Sequence, residues 1–511
     1  MKMPIPRKSI LATYLIFFVY NCGMAIGPVN PDASPEARAL LEYIQSLSGK
    51  HILSGQHNLP LAGDKNSQFA ADYIGETPVI WSQDFGFSKD GDQDSYLARP
   101  AIIQEAIRQH KKGSIVTFCW HAVPPTAEEP VTFRPLPSAD PAAPLASVQG
   151  RLTDKQFRDI LTPGTQLHKK WIRQVDIIAS FLKQLQDAHV PVLWRPYHEM
   201  NGDWFWWCGR YEGKYTTAAL YRQLFDRFVK YHKLNNLLWI WSIDRPALPE
   251  REFAKYYPGD QYLDILAIDI YGNDFNQSYY DGLMALSKGK PVVLGEVGNP
   301  PALEIFDKQP NWAYWVVWAG MVRGTPLSQY EKLTGDARVL FMEDQAYIDG
   351  TRQYRTACGF EPLTINRAVD FTGEWKLNDC ESDEIQSMGP VNPYKLVIVQ
   401  HDNKLTVKSI TLTEWAGDQV MEHTLTLDGK DIHSNAFMNS HRVQNANWTT
   451  QKDTLIIDSK VTFNFGEKPT VMISKEIWTL KKKGKKLSIF QTDDGFMNRG
   501  KRTFNLIYDK Q

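Results

Sequence analysis

Cysteine is scarce in this chain of 511 residues: there are 5, and none stands in a CxxC or other metal-ligand spacing. Cys119, Cys208, Cys358 and Cys380 are scattered, and are expected to be small buried side chains or one incidental bridge. No metal and no cofactor is therefore expected. An excess of positive charge is also missing. Lys and Arg number 57 against 58 Asp and Glu, a net charge of −1, so no basic face is available and nucleic acid is not an expected partner. The one basic run, Lys481 to Lys486, contains Gly484 and lies between two strand-like segments, which makes it a solvated hairpin turn. No segment is long and apolar enough to span a bilayer.

The first 22 residues have the form of an export signal. Lys2, Arg7 and Lys8 precede a short apolar stretch from Ile10 to Val19. Val19-Tyr20-Asn21-Cys22 resembles a bacterial lipoprotein cleavage box, although Asn21 stands where that box usually has a small residue. The expectation is an exported protein of a bacterial cell envelope, anchored by lipid on Cys22, or secreted.

What the chain has in quantity is indole: 16 Trp, with aromatics at 12% of residues, which suits a protein that offers flat apolar faces to a ligand. Eight short, nearly continuous apolar runs follow one another: 51–56, 77–85, 114–121, 191–199, 237–244, 263–272, 291–298 and 312–320. Such runs mark parallel strands covered on both faces. Helical stretches separate most of them. Leu167, Trp171, Val175, Ile178, Leu182 and Leu185 recur every three or four residues as one apolar stripe, and 216–232 has a similar pattern. Eight strand–helix units over residues 36–362 predict a (β/α)₈ barrel. The Pro- and Ala-rich segment 124–163 is expected to be a surface loop near its mouth.

In such a barrel the C-terminal ends of the strands face the active site. Those ends carry His57, Asp84, Trp120-His121, Glu199, Asp244, Tyr271, Glu296 and Trp318. Glu199 and Glu296 end very apolar strands, and a carboxylate buried there calls for a reason. Two carboxyl groups across a cleft are what cleavage of a glycosidic bond requires: one donates a proton to the leaving oxygen, the other attacks or activates water. Trp194, Trp204, Trp206 and Trp207 crowd Glu199. Those after Glu199 are expected to present faces to pyranose C–H groups and to lower the dielectric around Glu199, keeping it protonated, with plain core as the alternative for Trp206, Trp239 and Trp241.

At these positions the chain resembles glycoside hydrolase family 26, typified by β-1,4-mannanases. Arg195-Pro196-Tyr197-His198-Glu199-Met200-Asn201-Gly202 with Trp204-Phe205-Trp206-Trp207 is similar to the family's acid/base signature. Leu294-Gly295-Glu296-Val297-Gly298 is similar to its nucleophile motif, and 54–57, Trp120-His121 and 268–272 resemble further segments. The resemblance implies Glu199 as acid/base, Glu296 as nucleophile and Tyr271 as the group that orients Glu296. It also implies that His121 and Trp204 line the subsites flanking the cleaved bond and that His198 contacts the sugar or holds Glu296, with Trp318, or alternatively Trp315, as the floor under the sugar; Trp120 and Asp84 join the substrate-binding set. A retaining endo-β-1,4-mannanase is the implied activity. A mannobiose-releasing exo-enzyme, a β-1,3-1,4-glucanase or xylanase, and a non-catalytic glycan-binding protein stay open.

Beyond residue 359 the helical period gives way to alternating strands, and residues 368–511 are expected to form an all-β antiparallel domain. Phe371-Thr372-Gly373-Glu374-Trp375-Lys376-Leu377 resembles the Gly-x-Trp strand of lipocalin-like barrels. A carbohydrate-binding sandwich with exposed Trp415 and Trp448, or a spacer without ligand, are the alternatives.

Overall fold

Runs such as Leu237–Asp244, in which every residue is buried, have no polar face to turn to water and must be covered on both sides. The computed structural model describes residues 26–87, 95–137, 143–364, 369–383, 392–401, 403–412, 417–435, 440–449, 452–464, 469–481, 484–494 and 500–511. Cys22 and Trp415 therefore lie outside the described residues. No helix among them is long and apolar enough to cross a membrane.

The eight runs become eight parallel staves: β1 (Ile52–Leu53) with β2 (Gly55–Asn58), β3 (Ile80–Asp84), β4 (Ile115–Trp120), β5 (Val192–Pro196), β6 (Leu237–Asp244), β7 (Ile265–Ile270), β8 (Val292–Val297) and β9 (Trp312–Val317). Each pairs with the next, and β9 pairs with β8 on one side and with β1 and β2 on the other, so the barrel closes. A short strand, β10 (Val339–Leu340), adds to β1 from outside. The first stave is in two pieces at Ser54–Gly55, where the sheets crowd. A Cβ on Gly55 would stand 2.3 Å from the Trp315 carbonyl oxygen, an approach only glycine allows.

Alternation along the staves sorts their side chains into two layers. Leu193, Ile240 and Ala267 point to the barrel axis, in a core that the helix Pro35–Leu47 seals at the N-terminal end with Ala37, Leu40 and Ile44. Trp194, Trp239 and Ile268 point outward, into the shell under the surrounding helices. The predicted helix stripe is buried from Trp171 to Leu185 on the helix Gln166–Asp187, which Thr165 caps by accepting from the His168 N–H. Behind the fifth stave no α-helix forms; three 3₁₀ turns between Pro249 and Tyr262 take its place. Segment 124–163 is less loop-like than expected. It contains the helix Asp154–Ile160, closed by a Thr153–Gln156 capping box, and it bridges to the mouth through Gln149 and Phe205.

A second sheet follows, with ten antiparallel strands: β11 (Gly373–Leu377), β12 (Lys395–His401), β13 (Lys404–Thr411), β14 (Gln419–Thr426), β15 (Ile432–Asn435), β16 (His441–Trp448), β17 (Thr454–Phe463), β18 (Thr470–Lys481), β19 (Lys486–Asp493) and β20 (Arg502–Lys510). Successive strands pair except β14 with β15, and β20 returns to β11. This is a nearly closed barrel rather than a sandwich. Trp375 sits in its core and donates its indole N–H to the Phe371 carbonyl at 2.9 Å. Trp448 is half-buried and stacks on Phe371 at 5.8 Å, so it is not the exposed platform the sandwich reading needed.

The packing of the first barrel runs past Pro362 at one end and starts before residue 36 at the other. Leu363 and Phe360 pack on its sealed end, Arg355 holds the Glu361 carbonyl at 3.0 Å, and the Val29 N–H binds Asp264 at 2.7 Å. A chain of residues 26–364 should therefore unfold in calorimetry at the temperature of the first barrel in the full chain. Residues 36–358 alone should melt lower, and equal melting of the two would put the boundary elsewhere.

Candidate active site

β5 ends at Pro196, and the chain then turns through two left-handed residues, Tyr197 (φ 49°) and Glu199 (φ 52°). Such conformations in residues with side chains cost about 1–3 kcal/mol each and need support. Indole supplies much of it. Trp171 donates to the Tyr197 hydroxyl at 3.0 Å, Trp207 to the His198 carbonyl at 2.9 Å, and Trp206 to the Ala122 carbonyl at 2.7 Å. Trp194, Trp206 and Trp207 are fully buried. They exclude water from the turn; the expectation that Trp207 offers a face to a sugar is corrected, and Trp206 follows its core reading. Trp204 alone of the four reaches the cleft.

That cleft, about 410 Å³, lies at the C-terminal mouth of the first barrel. Glu199 and Glu296 both line it, and an oxygen of one lies within 4.8 Å of an oxygen of the other. Glu199 accepts from the Trp204 indole N–H at 2.6 Å. Burial, and then the carboxylates of Asp269, Glu296 and Asp244, push its carboxyl well above the usual range. Glu296 is held by cation and hydroxyl: Arg195 binds one oxygen, the Tyr271 hydroxyl donates to the other at 2.7 Å, and His198 Nε2 stands 3.9 Å away.

Arg195 is the structural centre of this arrangement. It follows Trp194, which points outward, so it points to the axis, where it binds Asp269 at 2.7 Å as well as Glu296. Burial alone would lower the guanidinium, but these two carboxylates outweigh it and hold the group above its usual range. Burial likewise raises the Asp269 carboxyl. A guanidinium that cannot shed its proton is its partner, however, and keeps the pair ionised. Gly295 makes room for the pair: a Cβ there would lie 2.6 Å from Asp269 Oδ1.

The histidines divide by role. His121 and His198 line the cleft, their rings 4.5 Å apart and perpendicular. Burial, then His121 and Arg195, push His198 well below the usual imidazole range, and its Nδ1 has no hydrogen-bond partner among the described residues. His57 is buried and neutral, with burial taking it to about 3, and it stacks beneath Trp318 at 3.8 Å. Trp318 lines the cleft. Trp315 does not: it is buried against Phe306, because alternation along β9 turns it to the helices. Trp120 is corrected for the same reason. It ends β4 facing outward, beside Trp194 and Tyr197. Asp84 does not line the cleft either; its Oδ2 binds His121 Nδ1 at 3.0 Å. Burial would raise the Asp84 carboxyl, but His121 holds it below its usual range.

Among the described residues, two clusters have donors for a cation, Glu199–Asp269–Glu296 and Asp84–Cys119–His121. In the first, Arg195 already supplies positive charge between Asp269 and Glu296. In the second, burial pushes the Cys119 thiol up, which keeps it protonated and a poor ligand. Sequence reasoning missed Arg195 and Asp269 as partners, and Arg245, Arg251, Gln149 and Phe205 on the cleft wall. The first two left a signal: a charged residue at an inward position of an apolar strand requires an opposite charge at an inward position nearby.

Among known proteins, residues 29–342 match glycosyl hydrolase family 26. A mannan endo-1,4-beta-mannosidase of Thermothelomyces thermophilus is 34% identical over 301 residues, covering 57% of this chain and 56% of that protein. One of Bacillus subtilis is 28% identical over 344 residues, covering 61% and 89%. The solved structure of GH26A from Muricauda sp. MAR_2010_75 superposes with a TM-score of 0.56 at 38% identity, covering 61% of this chain and 98% of that one. This chain thus spans about half the length of the first of these relatives. The matched stretch contains all eight staves and every cleft residue described above, and through it the chain belongs to glycosyl hydrolase family 26.

Proposed function

We propose that the chain is a retaining endo-β-1,4-mannanase acting on β-mannan, glucomannan or galactomannan. One observation carries the reaction type: the oxygens of Glu199 and Glu296 approach within 4.8 Å. A retaining pair is set about 5–5.5 Å apart, whereas an inverting pair needs about 6.5–9.5 Å to admit a water. The substrate class rests on the mannanase relatives.

Glu199, kept neutral by its surroundings, gives its proton to the glycosidic oxygen as the C1–O bond breaks. Glu296, kept ionised by Arg195 and Tyr271, attacks C1 from the opposite side and forms a covalent mannosyl-enzyme. Glu199, now ionised, takes a proton from water, whose oxygen attacks C1 and frees Glu296. Trp318 supports the sugar from below. Asp84 occupies His121 Nδ1, which leaves His121 Nε2 as the ring atom for the sugar's hydroxyls. Export with a lipid on Cys22 completes the reading. Intact-mass measurement of membrane-extracted protein should find an acylated Cys22 at the N-terminus, and an unmodified start elsewhere removes the anchor.

Glu199→Gln should lower kcat/KM on mannan by about 10²–10⁴-fold. It should spare attack on aryl mannosides with activated leaving groups, which then stall at the glycosyl-enzyme. Early products followed by proton NMR should be the β-anomer. An α-anomer first, or equal loss on both substrates, defeats the role assignment.

The pH profile gives a separate test. Glu199 must carry its proton, so activity is lost as pH rises through its raised pKa. The Trp204 N–H stabilises the ionised carboxylate and opposes that rise. Trp204→Phe should therefore move the alkaline limb of kcat/KM to higher pH, and a shift to lower pH contradicts the hydrogen bond's role.

A further inference from the structure

The second barrel has an interior that its own folding does not explain. The register places Gln444, Ser459, Ser474, Asp493 and Arg502 side by side on β16 to β20. These positions share the inward phase of Ala446, Ile457, Trp478, Ile489 and Leu506, which are core residues. Five adjacent strands thus turn polar side chains inward at one level. Gln444, Ser459, Ser474 and Asp493 are each 8% exposed or less. One level deeper the same strands carry Glu476 and Gln491, and beneath those Leu455, Trp478, Ile489 and Leu506 form an apolar floor.

A barrel gains stability by filling its axis with apolar side chains, and polar ones placed there cost free energy unless they are bonded. Asp493 and Arg502 satisfy each other through two bonds of 2.9 Å. Among the described residues, the side chains of Gln444, Ser459, Ser474 and Gln491 have no hydrogen-bond partner, and Arg442 Nε is buried without one. Glu476 accepts from the Trp478 indole N–H at 2.8 Å, which leaves its other oxygen open. The unpaired edges of β14 and β15 adjoin this level, where His423 on β14 faces Arg442 on β16. Burial pushes His423 down to about 4, so it adds no charge.

We infer that the polar half of this lumen binds a neutral, hydroxyl-rich saccharide of one or two pyranose units. Asp493 with Arg502, and Glu476 with Arg442, balance one another, so nothing selects an ion. Amide, hydroxyl and carboxylate groups over an apolar floor that includes Trp478 match a sugar, with hydroxyls around its rim and C–H groups on its face. A lipid would leave the polar level unsatisfied. The site gives the second barrel a grip on glycan independent of the cleft.

The choice of mannan-derived sugar as first ligand rests on the proposed function, and the experiment separates the two. Full-length chain carrying Glu296→Ala, to block turnover, is titrated calorimetrically with β-1,4-mannohexaose and, in parallel, with cellohexaose and palmitate. Two saccharide sites per chain are expected. Adding Gln444→Leu and Ser474→Leu should remove one site, and the milder Ser474→Val alone should weaken it about 10-fold, the loss of one hydrogen bond to a sugar hydroxyl. A single site in the parent chain that survives in the double variant, two sites surviving in the double variant, or binding of palmitate alone overturns the inference. A single site in the parent chain that the double variant loses counts against the proposed function instead.

Discussion

A single guanidinium, buried on the axis of the first barrel, ties the scaffold to the chemistry. Arg195 joins Asp269 on β7 to Glu296 on β8, so three staves converge on one charge. Removing one partner from a buried pair of this kind costs about 3–5 kcal/mol, because the other is left uncompensated. The same charge decides the ionisation of the site. It anchors Glu296 as an anion, and that anion, with Asp269, helps keep Glu199 protonated. Two chemically identical carboxyl groups are thereby set to opposite tasks by which of them touches the cation.

The tryptophans around Glu199 belong to the same economy of position. Trp171 and Trp207 act through their N–H groups, donated to the Tyr197 hydroxyl and the His198 carbonyl of a turn that would otherwise relax, and Trp206 donates to the Ala122 carbonyl after β4. Their rings exclude water from that turn, which is what makes desolvation the leading influence on Glu199. Trp204 is the exception, since it serves the carboxyl directly and also walls the cleft.

The staves of the first barrel were legible because both of their faces are apolar, and Glu199 and Glu296 stood out as charges at their ends. What was not legible followed from phase. Whether Trp315 or Trp318, or Trp120 or His121, faces the cleft depends on a one-residue alternation that a continuous apolar run hides.

Both sheets are completed by late strands meeting early ones, β9 against β1 and β2, and β20 against β11. Neither barrel can close on the ribosome until nearly all of its own sequence has emerged, and contacts between such distant segments form slowly. The apolar staves of the first barrel wait as unpaired edges until β9, the last of them, has been made. For a chain of this design, the vulnerable interval is birth rather than service, and a period of protection before closure is built into its topology.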